Sequence, residues 1–422
     1  MRVLHLGTSD TRGGAARGAY FLHQKLQEIG VDSLMLVGRQ YSDSERVVQL
    51  DGALAPVTER IRGRLDQLPL RRYRKTSESF WTTGWQPRRL KSVIARLQPD
   101  IVHLQWTGGG FLPIEAIQDI EVPVVWTMRD MWPFTGGCHY TSGCTRYSAG
   151  CGQCPQLRSE DPDDISRSLA RRKTSALQQS NLWLVPISGW LADCARKSRV
   201  LSDGLFPEER IKVIPNGIDT TRFRPIDKRV ARQEMDLPEN GRFILFSALN
   251  ALSDERKGFG HLITALRQLR SATDPEPPEL LIAGDVQPEK LPRLDVPVRF
   301  LGTIQDNDRL RTAYAAADLV VAPSLQEAFG KVHVEAMACG TPVVAYDSGG
   351  PGEIITHRET GYLATAFDES DLAAGMDWCL DPERDRGALS SAARHRAVVH
   401  YDIAVIAARY RALYENILRR SK

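Results

Sequence analysis

Short apolar and β-branched runs recur along the chain, separated by longer stretches with helical spacing. In the first half they are Val3–Leu6, Ser33–Val37, Ile101–Gln105, Pro123–Thr127, Leu182–Pro186 and Ile211–Ile214. In the second half they are Phe243–Leu249, Leu280–Ala283, Val298–Leu301, Leu319–Pro323, Pro342–Tyr346 and Gly361–Ala364. Runs that are apolar at consecutive positions predict strands buried on both faces, hence parallel sheets covered by helices. The pattern predicts two consecutive doubly wound α/β domains, with ligands at the carboxyl ends of the strands. Val213-Ile214-Pro215-Asn216-Gly217-Ile218-Asp219, a strand breaking into a turn with Phe223-Arg224-Pro225 beyond it, marks the boundary. The expected domains are residues 1–210 and 217–400, followed by a last helix around Asp402–Leu418. No internal repeat at solenoid periods is visible.

Composition narrows this picture only slightly. A chain of 422 residues is too long for one ordinary core, and 42% hydrophobic with 25% charged residues is usual for a soluble globular protein. A formal charge of +3 gives no overall pull towards nucleic acid. No run approaches the roughly 18 apolar residues of a membrane span. Met1–Gly7 reads as a strand entering a loop rather than a signal peptide, so a cytoplasmic protein is expected. Seven cysteines, an odd number, favour thiols or a metal over a disulfide framework.

Residues 51–92 break the alternation. Arg60, Arg62, Arg64, Arg71, Arg72, Arg74, Lys75, Arg88, Arg89 and Lys91 outnumber Asp51, Glu59, Asp66 and Glu78, with Tyr73, Phe80, Trp81 and Trp85 interleaved. Such a segment suits anionic headgroups at the inner membrane face or a lipid diphosphate acceptor. A solvated insertion whose aromatics pack on the first domain accounts for it as well. No recognised nucleic-acid motif accompanies it, so nucleic acid is not an expected partner.

The stretch richest in chemistry is Glu327-Ala328-Phe329-Gly330-Lys331-Val332-His333-Val334-Glu335, continuing through Ala336-Met337-Ala338-Cys339-Gly340-Thr341-Pro342. Gly330 permits close backbone approach, and a helix beginning near Lys331 offers unpaired amides and a positive dipole end to a phosphate. Glu335, one turn inside, can accept hydrogen bonds from a polyol such as a ribose. Glu-x7-Glu followed by this Pro-terminated run resembles the donor-site signature of the family-4 glycosyltransferases of GT-B fold, retaining enzymes that use nucleotide sugars. Val213–Asp219 resembles their interdomain linker.

The resemblance implies two Rossmann-like domains facing across a cleft, the second binding a UDP- or GDP-sugar, with the last helix, about residues 402–422, packing back on the first. It implies that Glu327 holds the donor sugar's hydroxyls, that Phe329, Gly330 and Lys331 complete the phosphate cradle, and that Glu335 binds the ribose. Lys257, before Gly258-Phe259, matches a cation that neutralises the diphosphate. The Arg expected just after the preceding strand is missing, and Arg256 stands in for it. Cations there stabilise a leaving diphosphate without a catalytic metal. Gly302 and Ile304 are placed near the base, with Asp285 close by, and Ser348–Glu353 over the donor.

In the first domain, Thr8–Gly18 carries Gly13 and Gly14 between a strand and a helix, a phosphate-loop pattern with Arg12 and Arg17 near by. Trp126–Tyr140 resembles a subgroup signature in which the position of Arg129 is normally His. Arg keeps a permanent charge and bidentate donors but exchanges no proton near neutral pH. A different donor, with Arg129 pairing a carboxylate or phosphate, and impaired turnover both follow from that change. His103, at a strand end, is either an acceptor contact or a packed core histidine, and Asp130 orients a loop. Cys138, Cys144, Cys151 and Cys154, spaced C-x5-C-x6-C-x2-C within the loop 136–156, suit structural zinc, with free thiols, an iron–sulfur cluster or disulfides as alternatives. The function expected is hexose transfer to a glycan acceptor, lipid-linked, in cell-surface polysaccharide synthesis. A nucleotide-sugar-binding partner subunit and a nucleotide-sugar 2-epimerase are the alternatives.

Overall fold

A computed structural model describes all residues except 75–79, 89, 179–180, 203–205, 249–253, 270–276, 287–288, 290, 292 and 421–422. Lys75, Glu78, Arg89 and the loop residues 249–253 therefore lie outside the described residues. The chain forms two compact units, Met1–Gly217 with Ile403–Lys422, and Ile218–Asp402.

The first unit holds β1 (Arg2–Ser9), β2 (Asp32–Arg39), β3 (Val47–Gln49), β4 (Ile101–Leu104), β5 (Val124–Met128) and β6 (Leu182–Pro186) in the parallel order β3-β2-β1-β4-β5-β6. The second holds β7 (Phe243–Ser247), β8 (Glu279–Ala283), β9 (Val298–Gly302), β10 (Leu319–Val321), β11 (Val343–Tyr346) and β12 (Gly361–Ala364), in the order β12-β11-β10-β7-β8-β9. Counted from each unit's own first strand, these are one and the same doubly wound order. The direction of winding reverses between β1 and β4 and between β7 and β10, where such sheets bind ligands.

Eleven of the twelve apolar runs become strands. Ile211–Ile214 does not. Lys212 and Ile214 donate to the carbonyls of Leu184 and Pro186 beside β6, but Pro215 has no N–H to extend the ladder, and only Ile211 registers as a bridge. The short β3 occupies the opposite edge of that sheet, and its three residues are too few to announce themselves.

Helix Ile403–Arg420 buries Ile403, Ile406, Ala407, Tyr410, Leu413, Tyr414 and Ile417. This stripe at helical spacing packs with Leu22 and Leu26 of α1 (Gly14–Glu28) in the core of the first unit. Burying one such Ile or Leu stabilises by roughly 1.5–3 kcal/mol, so a polar residue at Ile406 would open the seam. The second core gathers Phe246, Leu262, Leu280, Ile282, Val321, Leu372 and Met376.

Within residues 51–92, α2 (Ala55–Asp66) is turned inside out. Its buried residues include Glu59 and Asp66. Glu59 pairs with the equally buried Arg88, and Asp66 accepts from the backbone N–H groups of Thr83 and Gly84 at 3.1 and 2.8 Å. Facing solvent instead are Leu54, Val57 and Ile61, 68%, 59% and 49% exposed, with Leu68 beyond. Arg60, Arg64, Arg71 and Arg72 are exposed alongside. Of the aromatics, Trp81 is buried, whereas Phe80 and Trp85 point outward. No helix among the described residues is long and apolar enough to cross a membrane.

Candidate functional site

In the second unit, β10 runs into a loop that ends at Gly330, the residue that caps helix Lys331–Ala338. Gly330 has φ of 97°, and a Cβ there would strike the His333 imidazole, so only glycine serves. No side chain caps this helix start. Glu327 in that loop accepts a 2.6 Å hydrogen bond from Lys257 Nζ, and Lys257 sits in the loop after β7. The two thus come from the two loops that flank the switch point of the sheet.

Burial acts to raise the Glu327 carboxyl, but Lys257, with Arg256 behind it, outweighs burial and holds it below its usual range. Arg256 donates to the Gln326 carbonyl at 3.3 Å and pairs with Asp254 at 2.6 Å. Glu335, almost wholly buried, accepts from Tyr314 Oη at 3.1 Å and from Lys331 Nζ at 3.0 Å. Phe329 is buried beside them, and the N–H of Gly350, in the loop after β11, donates to the Glu327 carbonyl at 2.9 Å. Gly302 ends β9 and accepts from the Gly284 N–H, so Gly302 and Ile304 lie at the same, carboxyl, end of the sheet.

In the first unit, Gly13 and Gly14 open α1 and are exposed. The carboxylate of the buried Asp10 fixes the loop before them by accepting from the N–H groups of Thr11, Tyr41 and Ser42. Arg129 directly follows β5. Its Nη2 and Nε donate to Gln105 Oε1 at 2.7 and 3.3 Å, and its Nη1 to Asn216 Oδ1 at 2.7 Å. A Cβ on Gly18 of α1 would stand 3.2 Å from Nη1, so glycine leaves room for the guanidinium. Asp130 accepts from Trp106 Nε1 and the Trp132 N–H at 2.9 Å each and meets His139 at 2.8 Å, which fixes the loop it begins.

His103 requires a correction. It is fully buried, with Nδ1 on Tyr414 Oη at 2.6 Å and Nε2 on Thr127 Oγ1 at 2.7 Å. Its strand position points it into the layer under helix Ile403–Arg420, which is the placement of a packed core histidine. Gln105, Asn216, Tyr410 and Tyr414 are the members of this polar layer that sequence reasoning missed. Gln105 and Asn216 stood inside noted segments, but nothing local marked their side chains.

Cys138, Cys144, Cys151 and Cys154 line one pocket, with Trp81, Tyr147 and Gln156 around them. All four are free of disulfides. Burial pushes the Cys154 thiol up to about 12 and Cys151 up to about 11. Among the described residues, no three His, Cys, Asp or Glu side chains close on one point as metal ligands do.

Two family models cover most of the chain: "Glycosyltransferase Family 4" over residues 12–222 and "Glycosyl transferases group 1" over residues 227–396. A D-inositol 3-phosphate glycosyltransferase 2 of Catenulispora acidiphila is 36% identical over 206 residues, 44% of this chain and 47% of that protein. The chain spans about half the length of the curated relatives it matches. Sucrose-phosphate synthase from Thermosynechococcus elongatus superposes with a TM-score of 0.68 at 19% identity, covering 99% of both chains. Anabaena Alr3699/HepE in complex with UDP and glucose gives 0.66 at 19% identity, over 98% of this chain and 99% of the other. Two parallel six-stranded sheets wound alike and these whole-chain superpositions make the architecture GT-B. Since the first of the two models alone takes in half of the residues, the chain belongs to Glycosyltransferase Family 4.

Proposed function

We propose that this protein moves a hexose from a UDP- or GDP-sugar to a glycan acceptor with retention of configuration. The observation that carries the reading is the meeting of Lys257 and Glu327 at the switch point of the second sheet, beside the uncapped helix start at Gly330. The complexes of the structural neighbour with UDP and glucose and with UDP-glucose support the donor class.

Glu327 takes the sugar hydroxyls while its Lys257 partner faces the diphosphate. Arg256, Lys331 and the amides of the Phe329–Lys331 turn complete the cradle. Glu335 has acceptor capacity beyond Tyr314 and Lys331, since a carboxylate offers about four lone-pair sites, and it takes the ribose. Negative charge grows on the leaving phosphate as the bond from C1 to its oxygen breaks, and fixed cations stabilise it. The acceptor oxygen bonds to C1 on the same face, through an oxocarbenium-like state, and its proton goes to the departing phosphate.

Calorimetry with UDP-, GDP- and ADP-sugars, followed by product analysis with and without acceptor, tests the reading. Failure to bind any of them ends it. Acceptor-free turnover to a 2-epimer would make the protein an epimerase, and binding without any turnover a partner subunit.

A second reading concerns where the acceptor resides. The outward Leu54 before α2 and Val57 and Ile61 on it, with their flanking arginines, suit a peripheral contact with an anionic bilayer, which would present a lipid-linked acceptor. Co-sedimentation with phosphatidylglycerol vesicles, absent with phosphatidylcholine vesicles and lost in Val57→Ser/Ile61→Ser, is the expected result. Equal binding to both lipids, or none, rejects it.

The cysteine loop is proposed to bind structural zinc. The N–H groups of Gln156 and Leu157 reach back to Cys154 sulfur and that of Gly136 to Cys151, the second-sphere bonds that thiolate ligands require. The loop itself offers only short 3₁₀ turns, and a metal held by Cys138, Cys144, Cys151 and Cys154 would lock it. Elemental analysis should find about one zinc per chain. A metal-free purified protein would leave these as plain thiols.

A further inference from the structure

The Arg129 guanidinium carries a permanent charge, yet every partner it has is neutral. Gln105 and Asn216 supply amide oxygens, and among the described residues no carboxylate is in ion-pair contact with it. The neighbouring acid, Asp130, attracts the Arg129 charge through space, but its hydrogen bonds are committed to His139, Trp106 and the Trp132 N–H. Behind Arg129 the layer is neutral too. Burial, then repulsion by His103, His23 and Arg129, holds His5 far below the usual histidine range, and burial followed by the Arg129 charge holds His103 there too. Withdrawing a cation from water without a counter-charge is costly, so chains that keep one there either pair it or present it to a ligand.

Three features favour a ligand. Arg129 as a residue is only partly buried. Gly18 clears the space at Nη1. Arg17, the residue before it, has a buried Nε with no hydrogen-bond partner. In the transfer reading the donor diphosphate goes to Lys257, Arg256 and Lys331, which leaves Arg129 for another anion.

We propose that Arg129 anchors a second anionic group of the substrate, a carboxylate or phosphate borne by the sugar or the acceptor and distinct from the donor diphosphate. The inference rests on the transfer reading above. It makes the substrate an acidic one: a hexuronate on the donor, or a phosphorylated polyol or sugar as acceptor.

The test measures affinities of UDP, UDP-glucose, UDP-glucuronate and inositol 3-phosphate for wild type, Arg129→Gln and Arg129→Lys. Arg129→Gln should lose roughly tenfold to a hundredfold affinity for one acidic ligand, while UDP and UDP-glucose stay within about twofold. UDP-glucuronate as the affected ligand assigns the anion to a donor carboxylate, and inositol 3-phosphate to an acceptor phosphate. Arg129→Lys should retain part of that affinity, having kept the charge and lost the fork. Without ligand, Arg129→Gln should melt no lower than wild type, because it removes an unpaired charge. The inference falls if UDP is weakened as much as the acidic ligands, if no ligand is affected, or if ligand-free Arg129→Gln is clearly less stable. Wild type that ignores UDP but still holds inositol 3-phosphate through Arg129 would defeat the nucleotide-sugar reading and leave the anion site standing.

Discussion

The two units share a strand order and differ in how they handle charge at the ends of their strands. In the second, three cations near Gly330 each have a carboxylate: Lys257 with Glu327 at 2.6 Å, Lys331 with Glu335 at 3.0 Å, Arg256 with Asp254 at 2.6 Å. In the first, Arg129 stands over a neutral layer of His5, His103, Gln105, Thr127, Tyr410 and Tyr414. Paired charges in a partly desolvated site are assembled before a ligand arrives, which suits a group that must be placed accurately, such as a sugar on Glu327. An unpaired charge leaves its counter-ion to the substrate, which suits discrimination between acidic and neutral ligands. On the proposed reading, one fold offers a site that positions and a site that selects.

The largest expected effect separates two members of the paired site. Glu327→Gln should lower turnover by roughly a thousandfold, about 4 kcal/mol at the transition state, with nucleotide affinity nearly unchanged. Glu335→Ala should weaken nucleotide affinity by about tenfold and change turnover less. Steady-state kinetics beside calorimetry resolves the two. If both variants lose the same parameter, Glu327 and Glu335 do not divide sugar from ribose.

The paired cluster was legible in the chain because it is local: Glu327, Gly330, Lys331 and Glu335 fall within nine residues, and Lys257 adjoins Gly258-Phe259. The sheets were legible too, since fully buried strands leave unbroken apolar runs. The Gln105–Arg129–Asn216 cluster was not. Its hydrogen bonds join positions 24 and 87 residues apart, and amides carry no periodic signal. His103 could be placed at a strand end but not on a face of the sheet, and the face decided its role. The inversion of α2 was hidden for a related reason. Leu54, Val57 and Ile61 have the spacing of a core stripe, and only the buried partners of Glu59 and Asp66 show which side faces in.

A middle-sized effect, in pH, is common to both units. Burial holds His23 in the first and His333 in the second at about 4, against the ordinary value of 6.5. A histidine depressed in the folded state is neutral there and takes up its proton on unfolding. Its contribution is therefore whole above pH 6.5 and is lost as pH falls towards 4, up to about 3 kcal/mol for each residue. Urea midpoints should drop steadily over that window. In His333→Gln the drop should shrink for the second unit alone, while a drop of unchanged size would place the sensitivity elsewhere.

The smallest expected effect lies on α2. Val57→Ser and Ile61→Ser remove apolar atoms that already face water, so each should change the urea midpoint by less than about 0.5 kcal/mol of stability. At a core position the same loss would cost roughly 2–5 kcal/mol. A near-zero change combined with lost vesicle binding would mean that this face is kept apolar for something outside the chain. A core-sized loss of stability would mean instead that Val57 and Ile61 are covered in the folded protein, and the lipid contact proposed for them would lose its footing.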